Sequence, residues 1–163
     1  MIALLQRVSR GLVTVDGREI SRIGRGLVVL LGVFDDDTES DATFLAEKTT
    51  SLRIFDDAAG NMNLSLIDVG GEALCISQFT LCANARKGRR PSFSKAMPPH
   101  EAERLYELFC EQLAMLGVPV FKGVFGAEMS VEIVNDGPVT IILNSRETRR
   151  QNHRDKSPSP EKR

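Results

Sequence analysis

The run LVVLLGVF, from Leu27 to Phe34, constrains this chain more than any other segment. It is continuously apolar, it follows the punctuation of Gly24 and Gly26, and it is far shorter than the roughly 18 residues of a membrane span. Such a run is expected to be a central strand buried on both faces, so the fold must cover a sheet from two sides. EALCISQFTL, from Glu72 to Leu81, reads as a second strong strand. Residues 127–134 differ, because they alternate: Met129, Val131 and Ile133 fall on one face and Glu128, Ser130 and Glu132 on the other. After them the four residues NDGP are expected to turn the chain into VTIIL, the last strand.

The remaining elements follow from punctuation and period. Residues 2–8 and 12–16 read as strand, and Asp16-Gly17 is a hairpin signal leading to a return strand through Ile20 and Ile23. Residues 38–53 carry a helical pattern, with Thr38 and Asp41 able to cap it and Leu45, Thr49 and Leu52 on one face. DDAAGNMN is expected to be a loop and LSLIDVGG to hold a short extended piece. Residues 99–116 form the clearest helix, with proline at the start, Ala102, Leu105, Phe109, Leu113 and Leu116 on one stripe, and Gly117 as the stop. At 163 residues the chain has the length of one domain. The order of elements gives a strand-rich single α+β domain with two main helices. From residue 146 the composition changes to seven basic residues, three acidic ones, two prolines and no aliphatic residue, which is that of a disordered tail. The expected division is therefore a domain over 1–145 and a basic tail over 146–163.

Charge and composition exclude several function classes. A formal charge of -1 and a pI near 6.1 argue against a binder that holds nucleic acid by broad phosphate attraction, but leave room for an enzyme gripping a short RNA end. The apolar N-terminal stretch is too short for a signal peptide and is interrupted by Gln6 and Arg7. Cys75, Cys82 and Cys110 show no metal spacing and read as reduced thiols of a cytoplasmic protein, Cys75 and Cys110 as small core residues. The two histidines are His153, in the tail, and His100, at a helix start, so a nucleophile–histidine machine lacks a base. Asp35-Asp36-Asp37 and Asp56-Asp57 read as solvated turns rather than cation sites. Gly24 and Gly26 precede a strand, not a helix, which does not suit a dinucleotide. No metal and no cofactor is expected.

Two segments remain. Ser77-Gln78-Phe79-Thr80-Leu81 ends a strand with hydroxyls and an amide, which suits either local backbone satisfaction or a site. Thr80 is a candidate nucleophile, but with no adjacent base its hydroxyl is weak, and a positioning role suits it better. Asn135-Asp136-Gly137-Pro138-Val139-Thr140 offers a Gly-Pro step that suits a turn, proline being tolerated as the first residue of a strand.

Together these segments resemble the D-aminoacyl-tRNA deacylase family. QRVSRGLVTVDG, IGRGLVVLLGV, SQFTL, KGRRPSF, FGAEM and NDGPVT stand in the family's order and spacing over residues 1 to about 145. The resemblance implies a barrel-like sheet with helices outside, and a homodimer with its active site at the interface. It implies hydrolysis of the ester joining a D-amino acid, and mischarged glycine, to the terminal adenosine of tRNA. Ser77, Gln78, Phe79 and Thr80 match the catalytic motif, in which N–H groups around Phe79 hold the carbonyl oxygen and the tRNA 2′-hydroxyl helps activate water. Gly137 and Pro138 match a cis step that enters the partner's pocket and excludes L-amino acids with backbone carbonyls. Arg7 matches an arginine that fixes the partner's Gly-Pro loop, its bland alternative being a surface arginine; Met129 matches a pocket neighbour, or is simply core. Lys87 to Phe93 match the loop expected to take the terminal adenosine, with Phe93 or Pro91 on the base and Arg89 or Arg90 (and Lys87 beside them) on the phosphates. A non-catalytic nucleic-acid-binding protein on the same fold, with affinity from the basic tail, is the alternative.

Overall fold

The computed structural model describes residues 1–147, and the expected tail lies outside the described residues from 148 onward. Eight strands and two main helices follow in the order β1 (Ile2–Val15), β2 (Arg18–Ile23), β3 (Gly26–Gly32), α1 (Glu39–Ser51), β4 (Phe55–Asp56), β5 (Met62–Leu64), β6 (Glu72–Ser77), α2 (Pro99–Met115), β7 (Val120–Lys122) and β8 (Ser130–Asn144). A 3-10 turn over Phe79–Cys82 follows β6, and residues 145–147 make one helical turn.

The main sheet runs β2-β1-β3-β6-β7, with β8 on the other edge of β1. Strand β1 is long enough to serve two partners on one edge: residues 2–8 pair with β3 and residues 11–15 with β2, while β8 runs antiparallel along the opposite edge. Asp16 and Gly17 both take positive φ, the requirement of a two-residue hairpin, and so join β1 to β2 where the sequence placed the turn. Strands β3 and β6 are parallel, as are β6 and β7. Past β7 the chain comes back against the start of β8, and Ser21 in β2 donates to the Lys122 carbonyl at 2.8 Å, leaving the sheet nearly closed into a barrel.

The apolar run at 27–34 is buried on both faces, as its composition demands. Leu27, Val29 and Leu31, with Ala73 and Cys75 of β6, face a core shared with both helices, where Leu45, Leu105, Phe109 and Leu113 pack. Val28, with Leu74 and Ile76, faces a second core inside the barrel with Val8, Val13 and Ile23. Both helices form where the period put them, but Leu116 lies past the end of α2 as its cap and is exposed, not part of the buried stripe.

Three local expectations are corrected. Asn135–Thr140 is not a reversal between two strands: β8 continues through it, and the pairing jumps from Val8↔Asn135 to Gln6↔Thr140, so the Gly-Pro segment is a bulge. Residues 55–64, read as loop and then extended piece, form the short hairpin β4–β5 ahead of LIDVGG. Nor is Asp37 solvated. It is buried, accepts from the Phe34 amide at 2.7 Å and pairs with the Met1 ammonium, which also donates to Ser145 Oγ at 3.0 Å. Arg146 joins Asp36 and stacks 5.5 Å over Phe34, so the first residue of the basic stretch packs on the domain.

The α1 cap makes a pH prediction. Asp41 accepts from the Thr38 amide and hydroxyl, both at 2.9 Å. Burial opposes ionisation of Asp41, but the hydrogen bonds from Thr38 and Ser145 outweigh it and hold its pKa below the usual carboxylate value of 3.8. A lowered folded pKa contributes stability above the unfolded value, lost as pH falls through the folded one. Asp41→Asn is expected to lower Tm at pH 7 and to flatten the loss of stability below about pH 4, checked by thermal melts across that range.

Candidate active site

The parallel pair β3–β6 ends on one side of the sheet, and the SQFTL motif leaves from that end. Gln78 donates its backbone N–H to the Leu31 carbonyl at 2.8 Å, and Cys82 Sγ reaches the Val33 carbonyl at 3.4 Å. The Phe79–Cys82 turn is thereby pinned across the end of β3. The first N–H groups of a helical turn have no partner within it, so Phe79 and Thr80 open the turn with amides free to serve a ligand. The Gln78 side-chain amide donates to Thr80 Oγ1, which fixes both side chains beside that turn.

A cleft of about 620 Å³ opens here. Ser77, Gln78 and Phe79 form one wall and Phe93 another; Met129 just ahead of β8, Val131 within it and Ala102 from α2 complete an apolar surround. Phe79 is 59% exposed and its ring meets Phe93 edge-on at 5.0 Å, an apolar rim on an otherwise wet surface. Sequence reasoning thus named five residues that line one cleft. It missed Phe125, Gly126 and Ala127, although FGAEM was part of the resemblance, and Met97, Pro98 and Pro99, whose signal was read only as a helix start.

The basic loop sits beside the cleft without lining it, except at Phe93. Asn84 and Ser92 exchange backbone hydrogen bonds at 2.8 and 2.9 Å, and the span between them carries Lys87, Arg89, Arg90 and Pro91, all exposed.

Arg7, Gly137 and Pro138 form a separate cluster and are not among the residues lining the cleft. Arg7 is only 6% exposed. Its Nε donates to the Asp136 carbonyl at 3.0 Å, and its Nη1 donates to the Ile54 carbonyl at 2.9 Å and to Asp56 at 3.2 Å. It is no surface arginine, and the Gly-Pro segment it holds is that of its own chain. Gly137-Pro138 is a cis peptide. Gly137 sits at φ +130, where a Cβ would lie 2.8 Å from Val139 Cγ2 and 3.0 Å from the Arg7 guanidinium, so only glycine fits. Asn135 Oδ1 accepts from Val139 N–H at 3.0 Å and closes the bulge.

Side-chain chemistry at the cleft is sparse. His100 stands exposed at the start of α2, with Nδ1 3.4 Å from Glu101. Burial pushes the Cys82 thiol up to about 11, and a hydrogen bond with Cys110 together with burial raises Cys75 well above its ordinary value, so neither offers a thiolate near neutral pH. Among the described residues no three His, Cys, Asp or Glu side chains gather as a metal site, and no helix is long and apolar enough to cross a membrane. The arrangement left is a backbone-centred site: amides at the head of a short turn, flanked by hydroxyls and an apolar cleft.

The family model for D-Tyr-tRNA(Tyr) deacylase matches residues 4–144. The chain belongs to that family. A D-aminoacyl-tRNA deacylase of Thermomicrobium roseum is 59% identical over 91% of this chain and 97% of its own. One from Roseiflexus castenholzii is 57% identical over 94% of this chain and all of its own. Among solved structures, a chain titled c-Myc DNA Unwinding Element Binding Protein superposes with a TM-score of 0.84 at 46% identity, over 88% of this chain and 98% of that one. A probable eukaryotic D-amino acid tRNA deacylase, at 18% identity and a TM-score of 0.76, shares the fold over 87% of this chain and 97% of its own. The deacylase family's matched span covers both clusters, the cleft and the Arg7-anchored bulge.

The anchoring of the bulge can be tested without substrate. Removing Arg7 leaves the buried Ile54 carbonyl and the Asp136 carbonyl without their donor, at a cost of about 1–3 kcal/mol for such a group. Arg7→Ala is expected to lower Tm and to speed hydrogen exchange at the Val139 amide; unchanged exchange there would separate Arg7 from the bulge.

Proposed function

We propose that this chain hydrolyses the ester of D-aminoacyl-tRNA, and of mischarged glycyl-tRNA, releasing the amino acid and tRNA as a proofreading step of translation. The reading is carried by the meeting of Ser77, Gln78, Phe79, Phe93 and Met129 at one cleft in a chain matched to the family over nearly its whole domain. In this reading N–H groups at the head of the Phe79–Cys82 turn hold the ester carbonyl oxygen as it gains charge. Preorganised donors of that kind each contribute roughly 10²–10³ in rate. Thr80, held by Gln78, positions rather than attacks, and the tRNA 2′-hydroxyl helps activate water. That division fits a site whose nearby thiols stay protonated and whose only described histidine is exposed. The terminal adenosine lies along Phe93 or Pro91, with Lys87, Arg89 and Arg90 toward the phosphates.

Chirality is read by exclusion. The carbonyls of Gly137 and Pro138, presented by a second copy of the chain, occupy the space an L side chain needs, and a backbone braced by Arg7 cannot swing aside. A homodimer is supported by β8, which pairs with β1 on one edge only and exposes Val134 at 39% and Ile142 at 63%. The enzyme works in the cytoplasm and uses no metal and no cofactor.

One observation favours a second reading: the 46% identical structure is named for binding DNA. A non-catalytic nucleic-acid-binding protein would draw its affinity from the basic C-terminal residues. Removing residues 148–163 separates the two, since salt-dependent binding collapses in the second reading and ester hydrolysis survives in the first.

The direct test is single-turnover deacylation of D-tyrosyl-, L-tyrosyl- and glycyl-tRNA. D-tyrosyl and glycyl esters are expected to be cleaved and the L-ester spared; equal survival of the two tyrosyl esters would overturn the activity. Because a Cβ at Gly137 meets Arg7 and Val139, Gly137→Ala is expected to displace the carbonyls and raise L-ester cleavage, with D-ester turnover reduced.

A further inference from the structure

We infer that Gly123 is a positioning residue for this reaction: its missing side chain is the notch in which the Met129 thioether rests, fixing one wall of the cleft. This rests on the reading of that cleft as the substrate site. A Cβ built on Gly123 would lie 2.6 Å from Met129 Sδ and 3.6 Å from its Cε, with Ile76 Cγ1 at 3.8 Å. No Cβ approaches a sulfur so closely, and Met129 can hold its present rotamer only over a glycine. The seat has two further ties. Gly123 N–H donates to the Cys75 carbonyl at 3.0 Å, binding the notch to β6 two residues before Ser77. The next amide, Val124 N–H, faces Met129 Sδ at 3.4 Å, which suits the thioether's weak acceptor character.

Gly123 has no need of glycine for its own conformation, since its φ lies outside the left-handed region. A methyl group there meets one obstacle, the far end of a flexible side chain. The backbone therefore stays and the thioether moves. Met129 borders the cleft on one side and, on the other, a smaller hollow with Thr14, Asp16 and Glu128. Movement either way takes the wall out of register with the bound substrate, which weakens binding more than it alters the amides at Phe79.

The test combines Gly123→Ala, Met129→Ala and the double variant, read by KM and kcat on D-tyrosyl-tRNA and by methyl NMR of methionine-labelled protein. Gly123→Ala is expected to raise KM about fivefold with kcat within about twofold. In the Met129→Ala background the same change should leave KM unmoved, because nothing remains to displace. Of the five methionine methyl resonances, that of Met129 should shift in Gly123→Ala and the others hold. An equal KM change in both backgrounds, or a stationary Met129 methyl, overturns the inference. If wild type cleaves no ester, the activity reading falls, while the methyl spectrum still decides whether Gly123 seats Met129.

Discussion

The structure depends on the two-sided burial of the parallel pair β3–β6. With apolar side chains on both faces, neither strand has a wet side, so helices must cover one face and the rest of the barrel the other. Their buried backbone groups must also be paired along both edges, which β1 and β7 provide. Parallel strands end together, and here Leu31 and Val33 emerge beside Ser77 and Gln78. The cleft exists because two strands stop at the same level and the chain leaves β6 across the end of β3. A catalytic element built on such an end inherits the rigidity of the core below it, as a site made of backbone amides requires.

A second constraint comes from Arg7. A guanidinium this far out of water needs acceptors, and it takes one each from the chain before β4, from β4 itself and from the β8 bulge. Lysine could not span these directions, because its point-like ammonium lacks the planar fork. One charged side chain thus ties β1 to two segments far from it in sequence, and the Gly-Pro bulge is held from β1 as well as by its own Asn135–Val139 hydrogen bond.

The sequence was legible where a structural signal is local. Two-sided burial of 27–34, the Asp16-Gly17 hairpin, the Thr38–Asp41 cap and the extent of α2 all follow from residues close in the chain. It misled where the partner is distant. A Gly-Pro step between two apolar stretches reads as a reversal, and only the continuing register of β1 keeps β8 running past it. Three aspartates in a row read as solvated, yet Asp37 is buried against the Met1 ammonium. The β4–β5 hairpin is too short for any period to mark it. At the site, the motif wall was readable, whereas Met97 and Phe125 join it only through tertiary packing.

Spacing along β8 bears on how a chirality filter can operate. Met129 stands just before the strand and Gly137 eight residues on, and the ladder to β1 carries them from Thr14 past Val8. At about 3.3 Å per residue, that separation is roughly 25 Å. The two residues cannot meet one ester within a single chain, in keeping with their appearance in separate clusters. Under the proposed reading a Gly-Pro filter would therefore act only in the cleft of another copy, with Arg7 bracing the loop from behind. Selection and chemistry would then be divided between two chains, the rejecting surface of one held rigid against the amides of the other. On that reading a lone chain would keep its cleft and lose its discrimination, and association would be a condition of specificity.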